Sequence, residues 1–224
     1  PVLRCDGFEA DDVIATLSDK CCKEGRPFRI LSADKDLMQL VGCTTQIMKP
    51  DKSGGWEVVG ENGVFAEWGV NPSLMLDLLS LIGDSADNVP GVPGVGIKTA
   101  LKLLNQYGNL DGIYAHADEI SGAIGNKIRE GKESAYFSKK LIALRYDVPL
   151  EFSEKDFSTN NLKYEKAGEL LMKYGVPAVA KQYGATAGTE NISEQVSSNN
   201  NGSEIMEEQQ EDEFETLTKN VGDY

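Results

Sequence analysis

A turn rich in glycine and proline near the middle of the chain constrains its fold more than any other stretch. Residues 91–96 read Gly-Val-Pro-Gly-Val-Gly, between an apolar run at 74–82 and a helix-forming run at 97–107. Glycine tolerates positive φ and lets the backbone approach another group closely. The turn therefore joins two unlike halves and can present its backbone to a ligand.

The helix that follows this turn is suited to bind a phosphate group. The N–H groups of a first helical turn have no intrahelical partner and carry the positive end of the helix dipole. Lys98 lies two residues after the end of the turn. We therefore expect the turn to be able to hold the phosphate backbone of a nucleic acid.

Acidic residues form three groups, each at an element boundary beside an apolar segment that must be buried. The groups are Glu9, Asp11 and Asp12; Asp34 and Asp36; and Asp84 and Asp87. Glu9 and Asp12 have an i,i+3 spacing, and so do Asp84 and Asp87. Each pair therefore shares one helical face if its turn is helical. Asp34 and Asp36 share a face if the preceding strand continues through them, whereas periodicity alone leaves Asp11 on another face.

Carboxylates gathered near a core repel one another and lose solvation unless cations bind them. Mg²⁺ prefers oxygen ligands and binds through a few carboxylates together with a substrate phosphate. Two such ions can support phosphodiester cleavage. The pattern favours a metal-dependent enzyme acting on nucleic acid, and the alternative is that these residues are helix caps and solvated loop acids.

The net charge of −14 is at odds with nucleic-acid binding until it is divided along the chain. Residues 185–224 hold ten acidic residues and one lysine, whereas 98–145 hold eight basic and five acidic residues. A solvated helical face explains that basic excess as well as a binding surface does.

The polar composition after 185 predicts a disordered acidic tail, which could dock on a protein partner. No apolar run reaches the length of a membrane span, so no membrane partner is expected.

The four cysteines have no zinc-like spacing, and the adjacent Cys21 and Cys22 are poorly placed to bridge each other. We expect reduced thiols in an intracellular protein. His116 is the single histidine and lies in a polar setting, so catalysis by a histidine base is not expected.

The order of apolar patterns predicts an α/β fold, with a helix at 9–24, a strand at 28–33 and the acidic residues after its carboxyl end. Further strands are predicted at 2–5, 45–48, 56–59 and 148–152. Further helices are predicted at 62–68, 72–82, 97–107, 109–120, 122–130, 132–143 and 164–174.

Three motifs, at 7–14, 32–40 and 83–100, resemble the 5′–3′ exonuclease domain of bacterial DNA polymerase I, in the flap endonuclease superfamily. The resemblance runs from about Val2 to Phe152. It implies part of a PIN-like nuclease domain, incomplete at its amino terminus, over 1–83. A helix–two-turn–helix DNA-binding region would follow over 84–184, and the disordered acidic tail over 185–224.

The resemblance implies a structure-specific 5′–3′ exonuclease and 5′-flap endonuclease that cuts DNA by two-metal hydrolysis in replication and repair. Its substrates would be duplexes with a 5′ flap, nick or gap. All seven acidic residues would serve the Mg²⁺ or Mn²⁺ ions, and Asp34, Asp36 and Asp87 would be catalytic. The expected DNA-binding residues are Gly91, Val92, Gly94, Val95, Gly96, Lys98 and Thr99, with K⁺ on the carbonyls of the turn.

The family begins with a strand that carries an early metal-binding Asp, followed by basic residues and a helical arch, and none of these precedes Pro1. A non-catalytic DNA-binding fragment or paralogue is therefore the alternative function. A third reading is a general PIN-type ribonuclease, which the helix–two-turn–helix motif disfavours. The compartment stays open, with plastid, mitochondrion or nucleus expected if the source is eukaryotic.

Overall fold

The computed structural model describes residues 2–51, 53–161 and 163–183 of the chain. These fall into two units, the first ending at Ser153 and the second beginning at Glu154. The predicted division at 83/84 and 184/185 stays a prediction, and the predicted disordered tail at 185–224 lies outside the described residues. Among the helices that the structure describes, none combines the length and apolarity needed to cross a bilayer.

The first helix, Ala10–Lys23 (α1), begins at a capping box formed by Glu9 and Asp12. Each of these two side chains accepts a hydrogen bond from the backbone N–H of the other residue, which satisfies N–H groups that a helix start leaves unpaired. The helix ends at Lys23, and Gly25 follows its C-cap residue with a φ of +66°, which favours glycine. Its buried side includes Val13, Ala15 and Cys21.

The strands are Phe28–Leu31 (β1), Thr45–Pro50 (β2) and Trp56–Val59 (β3), which form one sheet in the order β1-β2-β3. β1 runs parallel to β2, and β3 runs antiparallel to it. The register aligns Ile30, Ile47 and Val59 across the three strands, and all three side chains are buried. This face of the sheet belongs to the hydrophobic core.

A central apolar helix, Met75–Ile82 (α3), follows the short helix Glu61–Trp68 (α2) and a 3₁₀ turn at Pro72–Leu74. Its Met75, Leu78, Leu79 and Leu81 have no exposed surface. A helix that is apolar nearly all round must be packed on several sides. Besides the 3₁₀ turn that precedes it, α3 accordingly packs against the 3₁₀ turn Asp36–Leu40 and against three of the helices that follow it.

The helical part of the first unit comprises Ile97–Tyr107 (α4), Leu110–Ala115 (α5), Gly122–Glu130 (α6) and Lys132–Ile142 (α7). α3 packs against α4, α5 and α7. α5 begins at Asn109, whose side chain accepts a hydrogen bond from the Gly112 N–H at 2.7 Å. The second unit contains Tyr164–Lys173 (α8), Pro177–Ala180 (α9) and 3₁₀ turns at Glu154–Phe157, Thr159–Asn161 and Lys181–Tyr183.

Four predictions about local structure are wrong. Residues 2–5 and 148–152 are not strands, because no described strand pairs with them and the Leu150 N–H donates locally to the Val148 carbonyl at 2.9 Å. The predicted helix over 109–120 ends at Ala115, and a turn closed by the Glu119 N–H on the His116 carbonyl follows. The expectation that all cysteines are reduced is also wrong, since Cys22 and Cys43 form a disulfide that joins the end of α1 to the loop before β2.

Candidate metal centre and nucleic-acid interface

Three carboxylates from two parts of the fold come together in one cluster. Asp36 begins the 3₁₀ turn Asp36–Leu40 that follows β1, while Asp84 and Asp87 lie in the loop after α3. Each offers one oxygen, and these oxygens all lie within 4.8 Å of one another. We call Asp36, Asp84 and Asp87 the acidic cluster.

The loop that carries two members of the cluster is held by its own backbone. The Asp84 N–H donates to the Val89 carbonyl at 2.9 Å, and the Val89 N–H donates back at 2.7 Å. The Asp84 Oδ1 also accepts from the Ala86 N–H at 3.0 Å. Asn88 has a φ of +55°, in a region that asparagine tolerates better than most residues. These bonds fix the spacing of Asp84 and Asp87 without a helix.

Asp36 is positioned by a chain of local side-chain hydrogen bonds. The Ser32 Oγ accepts from the Asp34 N–H at 3.0 Å, and the Asp34 Oδ1 accepts from the Asp36 N–H at 2.9 Å. The strand therefore ends at Leu31 and does not continue through the acidic residues. Asp34 is exposed and supports Asp36 as well as adding charge beside it.

Lys35 neutralises part of the cluster. Its Nζ lies 2.5 Å from the Asp84 Oδ2, and the Asp84 side chain is only 5% exposed. The hydrogen bond from Lys35 holds the pKa of Asp84 below its ordinary value. Burial opposes the charged form of Lys35, but the bond to Asp84 outweighs it and raises the lysine pKa. The pair therefore stays ionised at neutral pH.

The rest of the cluster carries charge that Lys35 offsets only in part. Burial, and then the charge of Asp34, raise the pKa of Asp36 to about 6 in spite of Lys35. The hydrogen bond and charge of Asp84 raise the pKa of Asp87. The Asp36 Oδ1 is buried and has no hydrogen-bond partner among the described residues. An orphaned carboxylate oxygen on a member of such a cluster fits a bound divalent cation, because such ions satisfy several oxygens at once.

The first acidic group lies around this cluster but is not part of it. Burial, followed by the charges of Asp34, Glu9, Asp12 and Asp87, raises the pKa of Asp11, so that residue shares the field of the cluster. Asp12 uses one oxygen in the α1 capping box and the other to accept from the Arg145 N–H at 2.8 Å. The immediate contacts of Glu9 and Asp12 are therefore structural, and their role as metal ligands stays a prediction.

The glycine-rich turn is anchored to the helices on both sides of it. The Gly91 N–H donates to the Ser138 Oγ at 2.9 Å, and the Ser134 Oγ donates to the Gly91 carbonyl at 2.5 Å. The Val92 N–H donates to the Leu81 carbonyl at 2.8 Å. Position 91 must be glycine, because φ is +60° and a β-carbon would overlap the backbone of Gly83.

The outer side of the turn faces open space at the start of α4. Gly96 caps the helix in an extended conformation, and a β-carbon there would meet nothing within 4 Å. Gly94, Gly96 and Lys98 are exposed, and Thr99 is half-buried. By contrast, Val92 and Val95 are 2% and 4% exposed, and their N–H groups donate to the carbonyls of Leu81 and Val92, so contact of these two residues with DNA stays a prediction.

The residues that support the acidic cluster and the glycine-rich turn were not predicted from the sequence. Lys35 stands between two predicted acidic residues, and its position alone could have indicated an ion pair. The two serines of α7 that bind Gly91 are 43 and 47 residues away from it, and Lys127 of α6 lies 33 residues from Gly94, whose carbonyl accepts from the Lys127 Nζ. Nothing in the local pattern marks these three residues.

Two family models match the chain in succession. The model described as the 5′–3′ exonuclease N-terminal resolvase-like domain matches residues 1–69, and that described as the 5′–3′ exonuclease C-terminal SAM fold matches residues 70–165. The resemblance read from the three motifs is thereby confirmed. The helical second model agrees with α4 to α7.

The chain is similar in sequence to bacterial proteins of two kinds. It is 46% identical over 184 residues to DNA polymerase I of Treponema pallidum, which covers 82% of this chain and 18% of the relative. It is 38% identical over 178 residues to the 5′–3′ exonuclease of Aquifex aeolicus, which covers 77% of this chain and 59% of the relative. The chain thus spans about a fifth of the polymerase relatives that it matches.

Solved structures of phage T5 nucleases share the fold. The zinc-bound T5 5′-exonuclease gives a TM-score of 0.53 at 20% identity, over 62% of this chain and 51% of that one. The T5 flap endonuclease complex with DNA and metal ions gives 0.53 at 19% identity, over 62% and 50%. The predicted fold class, an α/β nuclease domain followed by a helical region, is confirmed. From the two family models and these relatives, the chain belongs to the 5′–3′ exonuclease family.

Proposed function

We propose that this chain is the metal-binding and DNA-binding portion of a structure-specific 5′–3′ exonuclease and 5′-flap endonuclease. The observation that carries the proposal is the acidic cluster with its orphaned Asp36 oxygen, of which Asp87 lies four residues before the anchored glycine-rich turn. Membership of the 5′–3′ exonuclease family supports it. The related T5 flap endonuclease was captured with DNA and metal ions, which supports the same ligands here.

Asp36, Asp84 and Asp87 would hold a divalent metal, with Asp34 and Asp11 contributing charge around them. Glu9 and Asp12 would contribute from the start of α1. When bound there, Mg²⁺ or Mn²⁺ supplies Lewis acidity at the scissile phosphate. We assign Asp34, Asp36 and Asp87 to catalysis, and we expect hydrolysis by water without a covalent protein intermediate.

The residues of the chain explain why a cation is needed before the substrate can approach. A phosphodiester carries negative charge, and so do the ionised members of the cluster that Lys35 does not neutralise. Burial first and then the charge of Asp34 raise the pKa of Asp36, and the hydrogen bond and then the charge of Asp84 raise the pKa of Asp87, so repulsion contributes to both shifts. The glycine-rich turn carries no surplus of negative charge. It would therefore bind the duplex backbone beside the cut, while the acidic cluster positions the metal.

The decisive experiment uses a 5′-labelled flap duplex with and without Mn²⁺, read for both retardation and cleavage. Asp34→Asn and Asp87→Asn are expected to lower cleavage by at least about a hundredfold, as for loss of a group that stabilises the transition state. Both should bind DNA as the unchanged chain does. Asp118→Asn, which removes the same charge from an exposed site on the helical part, is the matched control and should cut normally. Cleavage that persists in Asp87→Asn would refute the assignment.

A non-catalytic duplex-binding module is the second candidate, and one observation favours it. Both oxygens of Asp12 and one oxygen of Asp34 already accept backbone hydrogen bonds, which leaves fewer carboxylates free for metal. In the same experiment this candidate predicts retardation without cleavage at every Mn²⁺ concentration. Nicked and gapped duplexes should then be retarded as well as the flap.

A further inference from the structure

The glycine-rich turn holds an ammonium group against one of its carbonyls. Lys127, on α6, donates a hydrogen bond from Nζ to the Gly94 carbonyl oxygen at 3.1 Å. Among the described residues no carboxylate lies within ion-pair distance of Lys127, so this carbonyl is its polar partner. The lysine is half-buried and therefore not a freely solvated surface charge.

The close contact between Gly94 and Lys127 depends on the conformation of both residues. A β-carbon at Gly94 would overlap the Lys127 ammonium and lie 3.0 Å from its Cε, so the lysine stem runs directly over the α-carbon. Gly94 also has a φ of +75°, which glycine adopts readily. The glycine thus permits both the bend of the turn and the approach of the lysine.

The helix that carries Lys127 is fixed in place. Its neighbour Ile128 has no exposed surface, and Arg129 donates to the carbonyls of Ala117 and Ile120. At the end of α6, a β-carbon on Gly131 would lie 2.6 Å from the Val92 Cγ1, so the helix end packs against the turn itself. Lys127 therefore reaches the turn from a rigid support.

We propose that the Lys127 ammonium is a built-in cation of the turn and takes the place of a bound monovalent metal ion. The inference rests on the proposed DNA binding by this turn. A carbonyl oxygen in a phosphate-binding turn repels an approaching phosphate, and a cation on that carbonyl removes the repulsion. An ammonium has three donors, so one can serve Gly94 while the others remain available to a phosphate oxygen. A second cation on the same carbonyl would meet the charge of Lys127, so K⁺ is not required.

The proposal makes Lys127 a DNA-binding residue of the turn, and its test is the cation dependence of DNA binding. The whole chain would be titrated onto a labelled nicked duplex in EDTA, at equal ionic strength in potassium, sodium or tetramethylammonium salt. Tetramethylammonium is too large to bind a carbonyl in the turn. We expect the unchanged chain to bind within about twofold in the three salts, since phosphate neutralisation depends on ionic strength in each.

Lys127→Met keeps the unbranched shape and most of the length of the side chain and removes its charge. It should weaken binding by roughly tenfold in tetramethylammonium, the scale of one charge-assisted hydrogen bond, and recover in part in potassium. Lys127→Arg should bind in all three salts like the unchanged chain. Lys102→Met, which removes an exposed charge from α4, is the control and should lose affinity equally in every salt.

Three results would overturn the inference. One is a clear preference of the unchanged chain for potassium over tetramethylammonium. Another is a Lys127→Met variant that behaves like Lys102→Met. The third is an absence of duplex binding in every salt, which would overturn the proposed function as well, whereas binding that requires potassium would leave the proposed function intact.

Discussion

The acidic cluster and the glycine-rich turn each hold a lysine ammonium against oxygen atoms, but with opposite results. In the cluster, Lys35 pairs with Asp84 and leaves the charges of Asp36 and Asp87 unbalanced. In the turn, Lys127 meets a neutral carbonyl and leaves a net positive charge. The cluster is therefore incomplete without a further cation, while the turn is complete as folded.

The two regions are also held by different forces. The turn is fixed by packing and by backbone bonds to two helices, with Val92 and Val95 in the core. The cluster is fixed by short-range hydrogen bonds around charged groups that repel one another. Changes at the turn should consequently act on stability first, and changes at the cluster should act on charge and metal affinity first.

The largest effect is expected from Gly91→Ala. The new β-carbon would overlap the backbone of Gly83 at a φ of +60°, so overpacking and backbone strain add together. We expect a loss of about 3–5 kcal/mol in the free energy of unfolding, measured in urea. Gly96→Ala is the matched control in the same turn, because its β-carbon meets open space at a negative φ. Equal stability of the two variants would show that the turn is not fixed by packing.

An intermediate effect, dependent on pH, is expected from Asp36→Asn in the metal-free chain. The folded-state pKa of Asp36 is raised from 3.8 to about 6, so between these values the folded state binds more protons than the unfolded state. The stability contributed by the protonated carboxyl is therefore lost as pH rises through about 6. Asparagine stays neutral, so its advantage over Asp36 should grow from pH 5 to pH 7, reaching about 1–2 kcal/mol once solvent screening of a half-buried group is included.

Urea unfolding in EDTA at several pH values would measure this difference. Asp51→Asn is the control with the opposite sign, because hydrogen bonds from Ser53 and Gly55 lower the pKa of Asp51. Stability from a lowered pKa is fully present above pH 4 and is lost only below it. The Asp51→Asn variant should therefore be less stable by a constant amount from pH 5 to pH 7. A flat profile for Asp36→Asn would contradict the repulsion inferred for the cluster.

The features predicted well from the sequence are those decided by neighbours in the chain. The helix α1 and the glycine-rich turn follow from capping residues, periodicity and glycine positions, all within one or two turns. The strand predicted over 28–33 ends two residues early, at Leu31, for an equally local reason. The Ser32 and Asp34 side chains bond to the backbone and end the strand, a competition that alternation of apolar residues does not report.

The features that were not predicted depend on residues far apart in the chain. The Cys22–Cys43 disulfide requires the end of α1 to lie beside the loop before β2, which no spacing rule indicates. Lys127 looks like an ordinary surface lysine until α6 is placed against the turn. The union of Asp36 with Asp84 and Asp87 likewise depends on packing, so the residue pattern could offer it only as a hypothesis, which the resemblance then supported.

The smallest effect is expected from Lys35→Met, measured as Mn²⁺ affinity by calorimetric titration at neutral pH. The Lys35 ammonium occupies one oxygen of Asp84 and repels a cation approaching the cluster. Its removal should raise the affinity by about three- to fivefold, the scale of a partly exposed ion pair. Lys35→Arg, which keeps the charge, should leave the affinity near its original value, and Lys127→Met should not change it at all. If Lys35→Met instead lowers the affinity, Lys35 serves to orient Asp84 toward the metal, and the cluster would then resemble the turn in being organised by its lysine.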